Sequence, residues 1–418
     1  MSADMTRDTP ATRLRNRSGA SLVSGTFACG RARLAFVVLA TILGCGWGLA
    51  AEPARKPTPP GTDSWASFRN GSAQTGVATT RLPDKLELLW KFQVSDKEGT
   101  IKSTAAIVGE HVYVASLIGQ LFCLERRTGN KVWTYRSKEE VDPKSFVPGF
   151  KTAPTVTADT VYIGDEEGVF HAVDRQTGQA RWRFDAEGEI ANGVSLYEDT
   201  VLFGSHNNNL YCRKAADGEK VWTYATEGQV YCAPAIVGHS TFVAGCDGHL
   251  RVIDVRTGEQ QTDIPLEIQL TSSPAVIDDM LYVGSHGGDV MAIDWKAGRK
   301  VWTYESKFPF HSSAAVTDKY VVIGGQDKKL HCLNRKNGDL VWTFATKGQI
   351  DSSPVVVGDR VFFGSNDGNL YGVSLEGGRE VFKHTDGRPL TASPAVGEKC
   401  LVIGSESSTG NVYCFGAK

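Results

Sequence analysis

A glycine recurs four residues ahead of a tryptophan at Gly129/Trp133, Gly178/Trp182, Gly218/Trp222, Gly298/Trp302 and Gly338/Trp342. Two more units keep the glycine and change the ring, Gly258 with Thr262 and Gly378 with Phe382. From Gly178 to Gly378 the period is 40 residues without slippage, and a second register agrees: Gly164, Gly204, Gly284, Gly324, Gly364 and Gly404, with Ala244 in the gap. Two markers at one period mean that the chain repeats one supersecondary unit, and that no unit buries its core alone.

Each unit reads as four short strands. In the fifth, Ser272 to Ile277 is strand A, Leu281 to Ser285 strand B, Val290 to Asp294 strand C and Lys300 to Tyr304 strand D. Asp247-Gly248 and Asp367-Gly368 between B and C, and Asp217-Gly218 and Asn337-Gly338 between C and D, supply turn chemistry in which glycine takes positive φ. Four-stranded units of this length are propeller blades. Strand A begins near Ser103, Thr152, Asn192, Cys232, Ser272, Ser312, Ser352 and Ala392, giving eight. Only seven complete D strands follow them, while Leu86 to Phe92 carries the D pattern ahead of the first blade. The expectation is an all-β, eight-bladed propeller over residues 86–418, its last blade completed by the N-terminal strand, which removes the open edges of a linear array.

The remaining chain is read from composition. With 45 basic and 47 acidic residues there is no electrostatic footprint for nucleic acid, and 41% apolar content is that of a globular protein. Residues 1–50 read as an export signal: six arginines from Arg7 to Arg33, the apolar run Leu34 to Leu43, and Gly48-Leu49-Ala50 before a cut at Ala51. The same stretch also reads as a lipobox, Ile42-Leu43-Gly44-Cys45, which would lipidate Cys45 and make a lipid anchor the only membrane attachment. Residues 51–64, with four prolines, read as a linker, and 65–85 as a lead-in segment.

The run Ala172-Val-Asp174-Arg-Gln-Thr177-Gly178-Gln-Ala-Arg-Trp182 resembles the tryptophan-docking repeat of PQQ-type propellers, and the likeness extends over about 86–418. Two groups share that ring: pyrroloquinoline-quinone dehydrogenases and the non-catalytic outer-membrane assembly factor BamB. Exported BamB-like repeat proteins also resemble this chain in its Trp65/Phe68/Arg69 lead-in. The resemblance implies a periplasmic or outer-membrane location, envelope-protein partners within an outer-membrane assembly complex, and no catalytic residues. The runner-up is a dehydrogenase with PQQ and calcium, which lacks here the adjacent Cys-Cys pair and the long insertions of those enzymes. A third reading is a secreted propeller for a carbohydrate or other small ligand.

Candidate residues follow from strand alternation, which puts the D–A and B–C loops on one face. The D–A loops offer Lys102, Lys151, Tyr231, His311 and Asp351, the B–C turns His206 and His286, and the aromatics Phe146, Phe308 and Phe310 stand in irregular connectors, one of them the insertion Ser137 to Phe150. Lys102, Lys151, His311 and Asp351 should ring the channel mouth and suit an anionic or polar group. His206 and His286, two blades apart, are too distant to share a metal, and no metal is expected. The ring residues Trp90, Trp133, Trp182, Trp222, Trp302, Trp342 and Phe382 read as mortar between blades. Blade four, with Thr262, should then be the weakest joint or carry a substituted contact. Cys123, Cys212, Cys332 and Cys414 share a slot where other blades have Ala or Gly, and so read as buried thiols, while Cys232 and Cys246 share one A–B hairpin, diagonal to each other with Gly245 opposite Cys232, which leaves a disulfide between them open. No nucleophile elbow, zincin, P-loop or EF-hand signature is present.

Overall fold

A computed structural model describes residues 61, 63–95, 99–139 and 146–418. The expected leader, Cys45 and the linker up to residue 60 lie outside them, as do residues 140–145 of the insertion. The described residues hold no helix; they form eight four-stranded antiparallel sheets, seven of which run A-B-C-D in chain order. In the eighth, Glu87–Gln93 takes the outer place beside Asn411–Gly416, so the last blade is built from both ends of the propeller. Strand A of the fifth blade is Ala275–Ile277, shorter than expected. Its first residues serve other bonds: the Ser272 hydroxyl donates to the Gly284 carbonyl at 3.1 Å, and the Ser273 N–H donates to the Ser313 hydroxyl at 2.9 Å.

Both glycine registers are explained by contacts between blades. At each of the eight joints an apolar residue just before strand A donates its N–H to the B–C turn of the preceding blade. These bonds run from Phe150 to Ser116 (3.0 Å), through Phe310 to Ser285 (3.0 Å), to Ile101 and Ser405 (3.1 Å), and the last closes the ring. At six of the joints the apolar residue then lies on the glycine at the end of strand B: a Cβ on Gly404 would fall 2.1 Å from Ile101 Cγ2, and one on Gly164 2.3 Å from Ile190 Cγ2; blades one and four have Ala115 and Ala244 there.

The second register belongs to the outer strands. Trp90, Trp133, Trp182, Trp222, Trp302 and Trp342 each lay their ring on the C–D glycine of the next blade, where a Cβ would meet it at 2.6–2.7 Å. Each indole N–H also donates to that blade's backbone, as Trp90 does to Arg126 O (2.7 Å) and Trp302 to Arg335 O (3.0 Å). Across the C–D ladder the same rings face Cys123, Ala172, Cys212, Ala292, Cys332 and Cys414, and Phe382 faces Gly372. The slot is small because a large ring fills the space opposite.

Blade four breaks this pattern in a compensated way. Thr262 faces Val252, a larger residue than Ala or Cys, and only its Cγ2, 3.6 Å away, comes near the Cβ position of Gly298. The joint is filled from the other side. Trp295, at the position that elsewhere supplies the indole's carbonyl acceptor, turns its ring back onto Phe242 of blade four (centroids 5.1 Å, interplanar 75°) and donates to Asp278 O at 3.2 Å.

The lead-in segment lines the channel. Trp65 pairs with Ile107 in both directions at 2.8 Å. Residues Ala66, Ser72, Ala73, Thr75 and Gly76 then accept N–H bonds from Val156, Ile236, Val276, Val316 and Val356, the inner strands of blades two, four, five, six and seven. Gln74 adds a side-chain bond to Ser195 of blade three (3.2 Å), and Asp63 accepts from Glu398 in blade eight. One stretch of chain therefore touches every blade.

Candidate functional site

The channel mouth is built where strand A starts. A cavity of about 180 Å³ is lined by Lys102, Lys151, His311 and Asp351, with Phe68 of the lead-in segment among its walls. An arc of hydroxyls also borders it: Ala233 N–H donates to Ser273, Ser273 to Ser313, Ser313 to Ser353 and Ser353 to Ser393, at 2.8–2.9 Å. Blades two and three have Ala153 and Gly193 at this position, and the space left is taken by Phe68, whose Cβ would lie 2.7 Å from one placed on Gly193.

Charge at the mouth is paired around the ring. Lys102 meets Glu406 at 3.4 Å, and Lys151 bridges Glu166 and Glu189, each at 2.9 Å. Glu189 also meets His206 Nδ1 at 3.4 Å, and Tyr231 covers the His206 ring with centroids 4.5 Å apart. The hydrogen bond with His206, with help from Lys151 and against burial, holds the Glu189 carboxyl down at about 2. Burial alone would raise the Asp351 carboxyl, but His311 (Nδ1 at 3.6 Å), Asn366 (2.9 Å) and Gln326 hold it below the usual range. His286 stacks on His311, with centroids 5.7 Å apart and rings within 10° of parallel. His206 and His286 thus belong to separate networks. Counting lysines and carboxylates alone, Lys102 and Lys151 face four acidic side chains at the mouth, Glu166, Glu189, Asp351 and Glu406.

One candidate is corrected. Phe310 is fully buried, edge-on to His331 at 5.3 Å, and is not available to a partner. Its place in the repeat, two residues before the expected start of strand A, matches Ile101, Ile190, Val230, Leu270, Ile350 and Leu390, all buried; register alone could have found this. Phe150 occupies the same place and is also buried. Phe308 and Phe146 are exposed, at 50% and 62%. Both flanks of the insertion reach blade two's B–C turn on this face: Lys138 pairs with Glu167 (3.1 Å), and Gly149 N–H donates to Glu166 (2.9 Å).

Two buried triads escaped sequence reasoning, Tyr135–His171–Asp165 and Tyr304–His331–Asp327, with His–Asp distances of 3.0 and 3.1 Å. Burial pulls both histidines down, so they stay neutral and act as core hydrogen-bond bridges. Cys400 was missed as well; it lies against Cys414, and that hydrogen bond together with burial raises the Cys414 thiol. Cys232 is buried, its sulfur accepting the Ala244 N–H at 3.2 Å, and both it and Cys246 are free thiols.

The family described as outer membrane protein assembly factor BamB matches residues 83–192, 165–319 and 307–415. No curated protein matches the chain. Among solved structures, BamB from Moraxella catarrhalis is similar at 20% identity and TM-score 0.67, over 80% of this chain and 98% of that one. The quinohemoprotein alcohol dehydrogenase from Comamonas testosteroni is similar at 13% and 0.72, over 85% and 81%. A europium-containing methanol dehydrogenase is similar at 12% and 0.69, over 85% and 98%. At these identities the structural likenesses are likenesses of fold.

Proposed function

We propose that this chain, which belongs to the outer membrane protein assembly factor BamB family, is a non-catalytic propeller of the cell envelope that presents its D–A and B–C face to an outer-membrane assembly protein. The observation that carries this reading is the state of the channel mouth: a cavity of about 180 Å³ whose charged side chains already satisfy one another. Small-molecule sites usually span about 300–1,000 Å³ and hold a few polar groups turned toward a ligand. Larger clefts of about 870 and 410 Å³ lie where the lead-in segment meets the blades, around Arg126 and Glu398 and around Asn70 and Ser195.

The residues present do not fit PQQ with calcium. Phe68 occupies channel space, and among the described residues no three His, Cys, Asp or Glu side chains converge as metal ligands. No step is derived through that cofactor. What the face offers instead is an acidic rim with exposed Phe308 and Phe146, which suits a basic or polar protein surface carrying an apolar contact.

A photocrosslinking residue at Phe308 or Phe146 in intact envelopes should capture one protein, while the same residue at Val381 on the outer rim should not. Titration with PQQ and calcium, followed by tryptophan quenching and dye reduction with alcohols and sugars, should give no saturation at micromolar cofactor. Saturable quenching with turnover would overturn the reading and make the channel an active site.

A further inference from the structure

We infer that the channel of this propeller encloses an anion site at Arg69, filled by one small monovalent anion of the chloride class. Arg69 and Arg251 are the fully or nearly fully buried arginines among the described residues. Arg251 has its counter-charge in Asp247, itself buried. Arg69 is 0% exposed and no carboxylate faces it. Its Nη2 donates to the carbonyls just ahead of two inner strands, Pro354 O at 2.7 Å and Ala314 O at 3.0 Å, whereas Nε and Nη1 have no protein hydrogen-bond partner.

Burial draws the guanidinium down to about 9, which still leaves it charged at neutral pH. A cation that cannot shed its proton and is taken fully out of water is very unfavourable unless a negative charge or several dipoles compensate. Two carbonyls do part of this; water could satisfy the free donors but not the charge. An anion does both. Gly76 folds so closely that a Cβ there would lie 2.0 Å from Arg69 Nη2, and no face of the side chain reaches solvent; so enclosed a group suits a small anion. The residues that precede Ala314 and Pro354, Ser313 and Ser353, border the mouth cavity, so the guanidinium is anchored one residue below it.

The test uses the folded protein. Crystals grown in bromide should show an anomalous peak in hydrogen-bond contact with Arg69 Nε or Nη1. In solution, replacing gluconate with chloride at constant ionic strength should raise Tm saturably, by about 2 °C or more, and Arg69→Met should abolish the dependence. If that variant does not fold, the wild-type crystal and the chloride titration decide by themselves. Water density alone at the free donors, with Tm indifferent to chloride, would overturn the inference.

Discussion

Replacing Trp295 by alanine tests whether blade four is held from the wrong side of its joint. The ring is 9% exposed, packs on Phe242 at 5.1 Å and bonds Asp278 O at 3.2 Å. Truncating a buried tryptophan costs about 3–5 kcal/mol, of which the aromatic pair supplies about 0.5–1.5 and the hydrogen bond about 1. About 3–4 kcal/mol is expected here, because the site is slightly open. Thr262→Trp alone should be unfavourable by about 1–3 kcal/mol, since Val252 leaves less room than the Ala or Cys of other blades. In the Trp295→Ala background the same change should recover at least half of the loss, because it restores the usual direction of docking onto Gly298. Urea unfolding of the four proteins, followed by circular dichroism, gives the coupling between the two sites. A loss below about 1 kcal/mol for Trp295→Ala, or equal effects of Thr262→Trp in both backgrounds, would refute the account.

Two further outcomes follow from the structure. Because the Glu189 carboxyl is depressed to about 2 in the folded state, its contribution is present above the ordinary carboxylate pKa and is lost as pH falls from there toward 2; Glu189→Gln should therefore lower stability near pH 7 and flatten the profile between about pH 5 and 2, so that the two proteins converge at the acid end. Thiol titration of a chain beginning at Ala51 should give one reactive cysteine when native, Cys246, and seven in denaturant, since Cys123, Cys212, Cys232, Cys332, Cys400 and Cys414 are buried; two or more native thiols would show that the blades open.

The repeat made the architecture readable from Gly178, Trp182 and their periodic equivalents, because a glycine under a ring is a requirement of backbone approach and recurs at six of the joints. Trp295 was not readable as the substitute at blade four. Its position is filled by Arg, Ala, Val and Leu in other blades, and only the direction in which its ring turns assigns it to the neighbour. Lys102 and Lys151 were placed at the channel mouth from strand alternation alone, but the commitment of Lys102 to Glu406 and of Lys151 to Glu189 depends on how residues from adjacent blades meet, which no one-blade pattern contains. Residues 65–85 carry no repeat, so their course around the inner strands left no periodic trace.

The outer strand of blade eight, Glu87–Gln93, is made first, and its partner, Asn411–Gly416, last. Blades one to seven can each pair locally as they appear, while this strand and the lead-in segment must wait for the final hairpin. Long-range closure of this kind slows folding and leaves two unpaired edges exposed in the meantime. A product that stops short of blade eight would therefore lose the partner of its first strand and the bond between Ile101 and Ser405 together, and would present open β-edges rather than a shortened ring.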